Sequence, residues 1–333
     1  MGKICRQLKN LKDEPQYWQQ TLKLIEESFK YRPPFHFEND FVTLMNKDNA
    51  HHLFILVENE KVIAHLGVKI RNITLQEELL PIAMLGGIAV DSHYRGQGLL
   101  SFMMNEIKEA FNNDVCAFIL WSDLISLYEK YGFFLCGPQY PLSRKSEKNT
   151  YHLLTNATEA EKNQIKILHH HYFKKHYAFI ERTQLDWEQL FNSKSCEIWV
   201  NDPNNLTSYF IKNKGQDLQN IIHEYATSEN RTEFLKTISH WGEVWMTQDY
   251  FHEDIAHFQF MLAAGQKFSN LVKAITKGRI KLSAINQNEC HFNFKGTDYV
   301  MNSSEFFSGI FGPARFSELK DNRDLFIAGW DSI

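Results

Sequence analysis

The sequence predicts an α/β (α+β) protein, a mixed central sheet flanked by helices, with the arrangement duplicated and its second copy degenerate. Three observations predict it. Helical and strand periodicities alternate through residues 1–155, and a glycine-bearing loop joins a strand to a helix in the middle of that stretch. From Asn156 the same order of elements returns without residue-level likeness. Two domains are therefore expected, 1–155 and 156–333, and 333 residues suffice for two separate cores.

The elements of the first half follow in order. "YWQQTLKLIEESFKY" is an amphipathic helix with Leu22, Ile25 and Phe29 at helical spacing, stopped by "RPPF" because proline cannot continue it. "HLFILVENEKVIAHLGVKI" is strand, polar turn, strand, with Val62, Ala64, Leu66, Val68 and Ile70 expected on one face. "PIAMLGGIAV" is a further strand. "LLSFMMNEIKEAF" is a helix whose stripe is Leu99, Leu100, Met103, Ile107 and Phe111. "VCAFILW" is the unbroken apolar run of a buried strand. "LISLYEKY" is a short helix ended by Gly132, suited to a left-handed position. "GPQYPLSRKSEKNTYHLL" is expected to close this unit as a long hairpin.

In the second half, "ATEAEKNQIKILHHHYFKKHYAFI" shows one long helical pattern. Then "CEIWV", "SYFIKNKGQDLQNIIHEYA", "NRTEFLKTI" and "EVWMTQ" give strand, strand–turn–strand, helix and strand.

Composition excludes several classes. A hydrophobic fraction of 43% with 23% charged residues is that of a soluble globular protein, and 26 phenylalanines predict aromatic cores. A net charge of -4 does not fit nucleic-acid binding, which needs a basic footprint. Cys5, Cys116, Cys136, Cys196 and Cys290 are scattered, odd in number and without a C-x-x-C pair, which argues against disulfides and against a zinc site. No apolar signal core, myristoylation pattern or membrane-length window is present. A cytoplasmic protein with no metal, membrane or nucleic-acid partner is expected.

The stretch "HYRGQGLLSFMM" sets the functional question. A Walker A loop needs a lysine after its second glycine, and none is here. A dinucleotide fingerprint needs a third glycine where Ser101 stands, and its turn leaves the strand directly, whereas Asp91 to Arg95 intervene. What remains is a looser loop of shape R-x-x-G-x-[small], running into a helix. A helix start offers unpaired N–H groups and the positive end of the dipole to a diphosphate, and glycine lets it approach the backbone.

With "GGIAVDSHYRGQGLLSFMM" followed about thirty residues later by "LYEKYGF", residues 15–155 resemble the GNAT superfamily of acyl-CoA-dependent N-acyltransferases. The resemblance implies that the backbone of Arg95, Gly96, Gln97, Gly98, Leu99 and Leu100 cradles the diphosphate of acetyl-CoA. It also implies that Ile88, Ala89 and Val90 pair with the pantetheine arm as an added strand would. Leu100 departs from the Gly or Ala usual at the last motif position, although Leu-Leu after the glycine also occurs in two-domain members that acetylate aminoglycosides. Tyr128 occupies the tyrosine position of "LYEKYGF" and becomes the general acid for the departing thiolate, with core packing as its alternative. Tyr131 and Phe133 are read as packing.

For the proton lost by the acceptor, Asp123 is the candidate base; its alternative is a helix cap, and relay through water is the default. His65 and His93 are read as structural or solvated. The expected partner is a small-molecule or peptide amine, attacked directly in a ternary complex. A non-catalytic acyl-CoA sensor is the rival reading, and a nicotinamide-dependent oxidoreductase the third.

Three lookalikes fall away. "HEDIAH" spaces His252 and His257 by five, not the four of a zinc protease helix. "HHHYFKKHY", from His169 to Tyr177, reads as a solvated helix face. "NRTEFLKTI" opens with an Asn-x-x-Glu capping pattern and no glycine, and Glu229 and Glu233 oppose an anion, so the second copy is expected to have lost CoA. The resemblance implies that this copy instead walls the substrate cleft and sets specificity, as in other fused-domain members of the superfamily.

Overall fold

The computed structural model describes residues 7–75, 77–143, 150–248 and 257–333. Strand β1 (Lys9–Asn10) leads into α1 (Trp18–Phe29), which buries Leu22, Leu24 and Ile25 and stops at Lys30 in a left-handed conformation. A short α2 (Phe37–Asp40) follows. Strands β2 (Leu53–Glu58) and β3 (Lys61–Leu75) then form a hairpin whose two turn residues, Asn59 and Glu60, both take positive φ, as a tight hairpin requires. Strand β4 (Glu78–Val90) returns antiparallel to β3, α3 (Leu99–Phe111) crosses over, and β5 (Ala117–Leu120) runs parallel to β4. Helix α4 (Ile125–Glu129) and β6 (Phe134–Leu142) complete this stretch.

The single apolar face expected on β3 is interrupted. Leu56 opposes Ala64 but Val57 opposes Val62, so Ile63 is an extra residue. Ala64, Leu66 and Val68 accordingly face the α3 side, while Val62 turns into the core beneath α1.

The second half opens with β7 (His152–Leu153) and α5 (Glu159–His176), begun by a reciprocal cap between Thr158 and Glu161. The helical pattern was expected to run on, but α5 stops at His176 and Tyr177–Glu181 is a strand, β8. It pairs with the far end of β3 at Asn72–Thr74. Its alternation serves two cores, Tyr177 and Phe179 facing one and Ala178 and Ile180 the other. Helix α6 (Gln184–Phe191) and antiparallel strands β9 (Glu197–Val200), β10 (Ser208–Lys212) and β11 (Ile221–Thr227) come next. Helix α7 (Arg231–Ile238) then leads to β12 (Glu243–Met246), parallel to β11. Three antiparallel strands, a helix and a parallel strand thus occur in both halves.

The long hairpin expected after Gly137 does not form. Strand β7 pairs with β9, while Phe134–Gln139 of β6 pair with β13 (His257–Ala264) and Tyr140–Leu142 pair with β12. Strand β13 lies between β5 and β6, antiparallel to both, and its apolar run fills the place between them. One sheet therefore runs through both halves. Helix α8 (Phe268–Ile275), a separate sheet of β14 (Ile280–Ile285), β15 (Glu289–Phe294) and β16 (Thr297–Asn302), and α9 (Ser303–Phe311) follow. Their apolar side chains share the core of α1. Strand β17 (Asp324–Phe326) pairs parallel with β8. A single boundary at 155/156 consequently does not divide the cores, because β13, α8 and α9 pack with the first half.

The histidine-rich helix is not a solvated face throughout. His169 is buried in the second core with its ring stacked on Phe173 at 4.2 Å, while His170 and His171 are exposed. His252 and Cys5 lie outside the described residues, and His257 opens β13. Among the described residues no helix is long and apolar enough to cross a membrane.

Candidate functional site

Strands β4 and β5 separate at the middle of the first sheet. They pair only at Ile82–Met84 with Ala117–Ile119, and β4 continues to Val90 bonded to β3. Beyond Met84, among the described residues, its edge toward β5 has no strand beside it. The cause is a bulge. His65 opposes Ala89 and Gly67 opposes Gly86, leaving Gly87 and Ile88 across from Leu66 alone. Gly87 takes φ 60°, which glycine adopts without penalty. The buried His65 ring spans the bulge, its Nδ1 2.7 Å from the Gly87 carbonyl. A carbonyl only accepts, so Nδ1 carries the proton, and burial pushes this histidine down to about 4 and keeps it neutral.

The loop after β4 is tied at its start. Asp91 accepts from the His93 N–H at 2.9 Å and from Lys61 Nζ at 2.6 Å, and Arg95 Nε donates back to Val90 O at 3.2 Å. Gly96 and Gly98 both take φ 75°, and a Cβ built on either meets no protein atom within 4 Å. Open space lies over both. Helix α3 makes its first turn bond from Phe102 N–H to Gly98 O at 3.0 Å. The N–H groups of Leu99, Leu100 and Ser101 therefore point out of the helix end, with no acidic side chain in that turn. Leu100 packs its side chain against the core beneath α3, which leaves its backbone at the mouth uncovered. Left-handed glycines, open space and unpaired helix donors fit the diphosphate of an acyl-CoA.

Tyr128 sits on α4 on the same side of the sheet, packed with Leu99, Met103 and Phe118 and edge-to-face with Phe133 at 6.3 Å. Burial raises its phenol to about 12, so it stays protonated at neutral pH. Tyr131 bonds Ser101 through their hydroxyls at 2.8 Å, linking α4 to the first turn of α3. Asp123 is exposed, and it does not cap α4; the cap position is Leu124, whose N–H donates to Ser122 Oγ at 3.0 Å. His93 is exposed in the loop.

The corresponding helix start of the second half is closed by its own side chain. Asn230 Oδ1 accepts the Glu233 N–H at 3.1 Å, as the capping pattern predicts. Among the described residues no group of three acidic, histidine or cysteine side chains is arranged to hold a metal ion.

Sequence reasoning missed one participant. A Cβ added to Gly86 would stand 2.8 Å from the backbone carbon of Ile333, more than two hundred residues away. Residues 328–333 reach β4 just where it leaves β5, on the face opposite α3. The paired glycines inside "PIAMLGGIAV" were the available signal, since glycine within a strand marks a close approach or a bulge, and here Gly86 and Gly87 are one of each.

Residues 9–136 match the family model for the GNAT acetyltransferase domain. No curated protein matches the chain by sequence. Among solved structures, a GCN5-related N-acetyltransferase from Kribbella flavida superposes over 100% of both chains at TM-score 0.64 and 13% identity. A conserved protein of unknown function from Enterococcus faecalis V583 covers 89% of this chain and 85% of its own at TM-score 0.59 and 13% identity. Eis1 from Mycobacterium abscessus covers 91% and 90% at TM-score 0.57 and 9% identity. Residues 9–136 are a GNAT acetyltransferase domain, and the fold of the chain is that of the GNAT N-acetyltransferases.

Proposed function

We propose that this chain moves an acetyl group from acetyl-CoA to the primary amine of a small molecule or peptide by direct attack in a ternary complex. The observation that carries the reading is the separation of β4 from β5 beside a glycine-lined helix mouth. The unpartnered edge at Ile88, Ala89 and Val90 offers backbone groups to the pantetheine amides, and the backbone of Arg95, Gly96, Gln97, Gly98, Leu99 and Leu100 receives the diphosphate.

In the transfer, the amine nitrogen forms a bond to the acyl carbon and the carbon–sulfur bond breaks. The electron pair goes to sulfur, and the Tyr128 hydroxyl supplies its proton. The amine's own proton leaves through water, with Asp123 as the nearby carboxylate candidate. The raised pKa of Tyr128 supports its role as a donor, since the phenol still holds its proton when the thiolate departs. The scattered cysteines support a reducing, cytoplasmic setting.

Thiol release from acetyl-CoA across a library of amines tests the reading. Release with a subset of primary amines is the expected result. Acetyl-CoA binding without release over the whole library would favour the sensor, and a thermal shift with NAD but not with CoA would favour the oxidoreductase.

A further inference from the structure

The segment that reaches Gly86 is held from the second half of the molecule. Residues 328–332 turn on themselves, with Asp331 N–H and Ser332 N–H both donating to Ala328 O at 2.9 and 3.2 Å. Gly329 N–H donates to His223 O on β11 at 3.2 Å. Lys214, buried between β10 and β11, donates Nζ to Gly329 O at 2.7 Å, Ser332 O at 2.5 Å and Ser332 Oγ at 3.0 Å. Arg182, just past β8, places Nε and Nη2 on the two Asp331 oxygens at 2.9 and 2.7 Å. It also binds both oxygens of Glu224, and Tyr209 donates to the same carboxylate at 2.8 Å. The Trp187 and Trp330 rings lie against the guanidinium at 4.5 and 5.1 Å.

Stability alone does not account for this cluster. Arg182 and Glu224 have no exposed side-chain surface, and stripping water from such charges costs several kcal/mol each. Apolar residues of the same volume are often as stable. What ion pairs with several directed bonds provide, and apolar packing does not, is a single position for the segment they hold.

Resting on the transfer reading above, we infer that Arg182, Glu224, Asp331 and Lys214 are positioning residues for acyl transfer, through which the second half holds residues 328–333 as the acceptor-side wall of the cleft. The face of β4 that carries α3 and the glycine mouth takes the acyl-CoA. Gly86 meets Ile333 and Leu44 on the other face, the one left for the amine. The second half, whose own helix mouth is capped by Asn230, thereby contributes a surface to the reaction.

The test uses the full chain carrying Asp331→Asn, which keeps the side-chain shape, and separately Lys214→Met. Leu235→Ala and Ile238→Val, on α7 in the second core and outside the ion-pair network, are the stability controls. Amide exchange of Gly86–Val90 is expected to rise at least tenfold in the two positioning variants and to stay within about twofold in the controls. The kcat for thiol release is expected to fall at least tenfold with the KM for acetyl-CoA within about twofold, and the controls should keep both. Unchanged exchange at Gly86–Val90 in a folded variant overturns the holding role whatever the activity does. Faster exchange with wild-type kcat overturns the part in transfer. A wild-type chain that releases no thiol with any amine sinks the transfer reading and the part in transfer with it, and the exchange arm still decides whether the network holds the segment.

Discussion

Gly86 and Ile333 meet backbone to backbone, so closely that a methyl group on residue 86 would stand 2.8 Å from one Ile333 backbone atom and 3.0 Å from another. Neither partner is a flexible side-chain end, so the contact has no cheap way to give. Gly86→Ala is expected to cost about 1–3 kcal/mol, the usual range for overpacking, read as a lower urea midpoint at unchanged slope. It should also slow thiol release while leaving acetyl-CoA binding intact. A variant as stable as wild type would mean that the 328–333 segment moves aside freely.

Gly98→Ala probes the other face of β4. Its left-handed backbone charges an alanine about 1 kcal/mol, and no protein atom obstructs the new methyl. Only a ligand at the helix mouth would meet it. The KM for acetyl-CoA is expected to rise tenfold or more while stability falls by about that 1 kcal/mol. A KM equal to that of wild type would take the loop out of cofactor binding.

Tyr128→Phe keeps the ring and its edge-to-face contact with Phe133. Stability should hardly move. The kcat should fall by about 10²–10⁴ with acetyl-CoA affinity nearly unchanged, the size of a general-acid contribution. Because burial holds the phenol near 12, the loss should be even from pH 6 to 10 rather than shrinking on the alkaline side, where a phenol with an ordinary pKa would already be giving up its proton in the wild type. Equal activity would leave Tyr128 as a core aromatic.

Asp123 is exposed at the entry to α4. With the amine's proton leaving through water, Asp123→Asn should retain kcat within about threefold, well short of a general-base contribution. A loss of a hundredfold would make it the base.

His65 predicts a pH dependence. Its unfolded value of 6.5 falls to about 4 in the folded protein, so unfolding takes up a proton between those values. The associated stability is complete above pH 6.5 and is lost as pH falls toward 4, about 3 kcal/mol in all. His223, pushed by burial to about 3, acts in the same direction. Urea midpoints at pH 7.5 and pH 5 should differ less in His65→Gln than in wild type; an unchanged difference would show that His65 does not titrate on unfolding.

What the sequence disclosed was local. "RGQGLL" and "LYEKYGF" carry their geometry in their own spacing, so the helix mouth and the tyrosine helix were legible, and so was the capping of α7 at Asn230. Periodicity tells which residues form a strand but not which strand lies beside it. The hairpin expected after Gly137 failed for that reason, and β13 went unrecognised as the partner of β5 and β6. Strand β8 was hidden because "HHHYFKKHYAFI" keeps apolar residues at helical spacing past the point where the helix ends. The reversal of Val62 hangs on one extra residue, Ile63, which no pattern of alternation announces. The Gly86–Ile333 contact depends on a segment steered by buried ion pairs, and charged residues in a sequence read as surface.

The placement of β13 also sets a schedule for the chain as it leaves the ribosome. Strands β5 and β6 are complete by Leu142, yet a gap one strand wide, roughly 10 Å from β5 to β6, stays open until Ala264 has been made. At ordinary elongation speeds that interval is on the order of ten seconds. During it the nascent first half presents two bare strand edges of the kind that recruit stray chains. The intervening residues build β9 to β12 in the meantime, so the second half can form first and deliver the strand that closes its predecessor. A gene fragment ending at residue 155 would inherit the open edges with nothing to fill them.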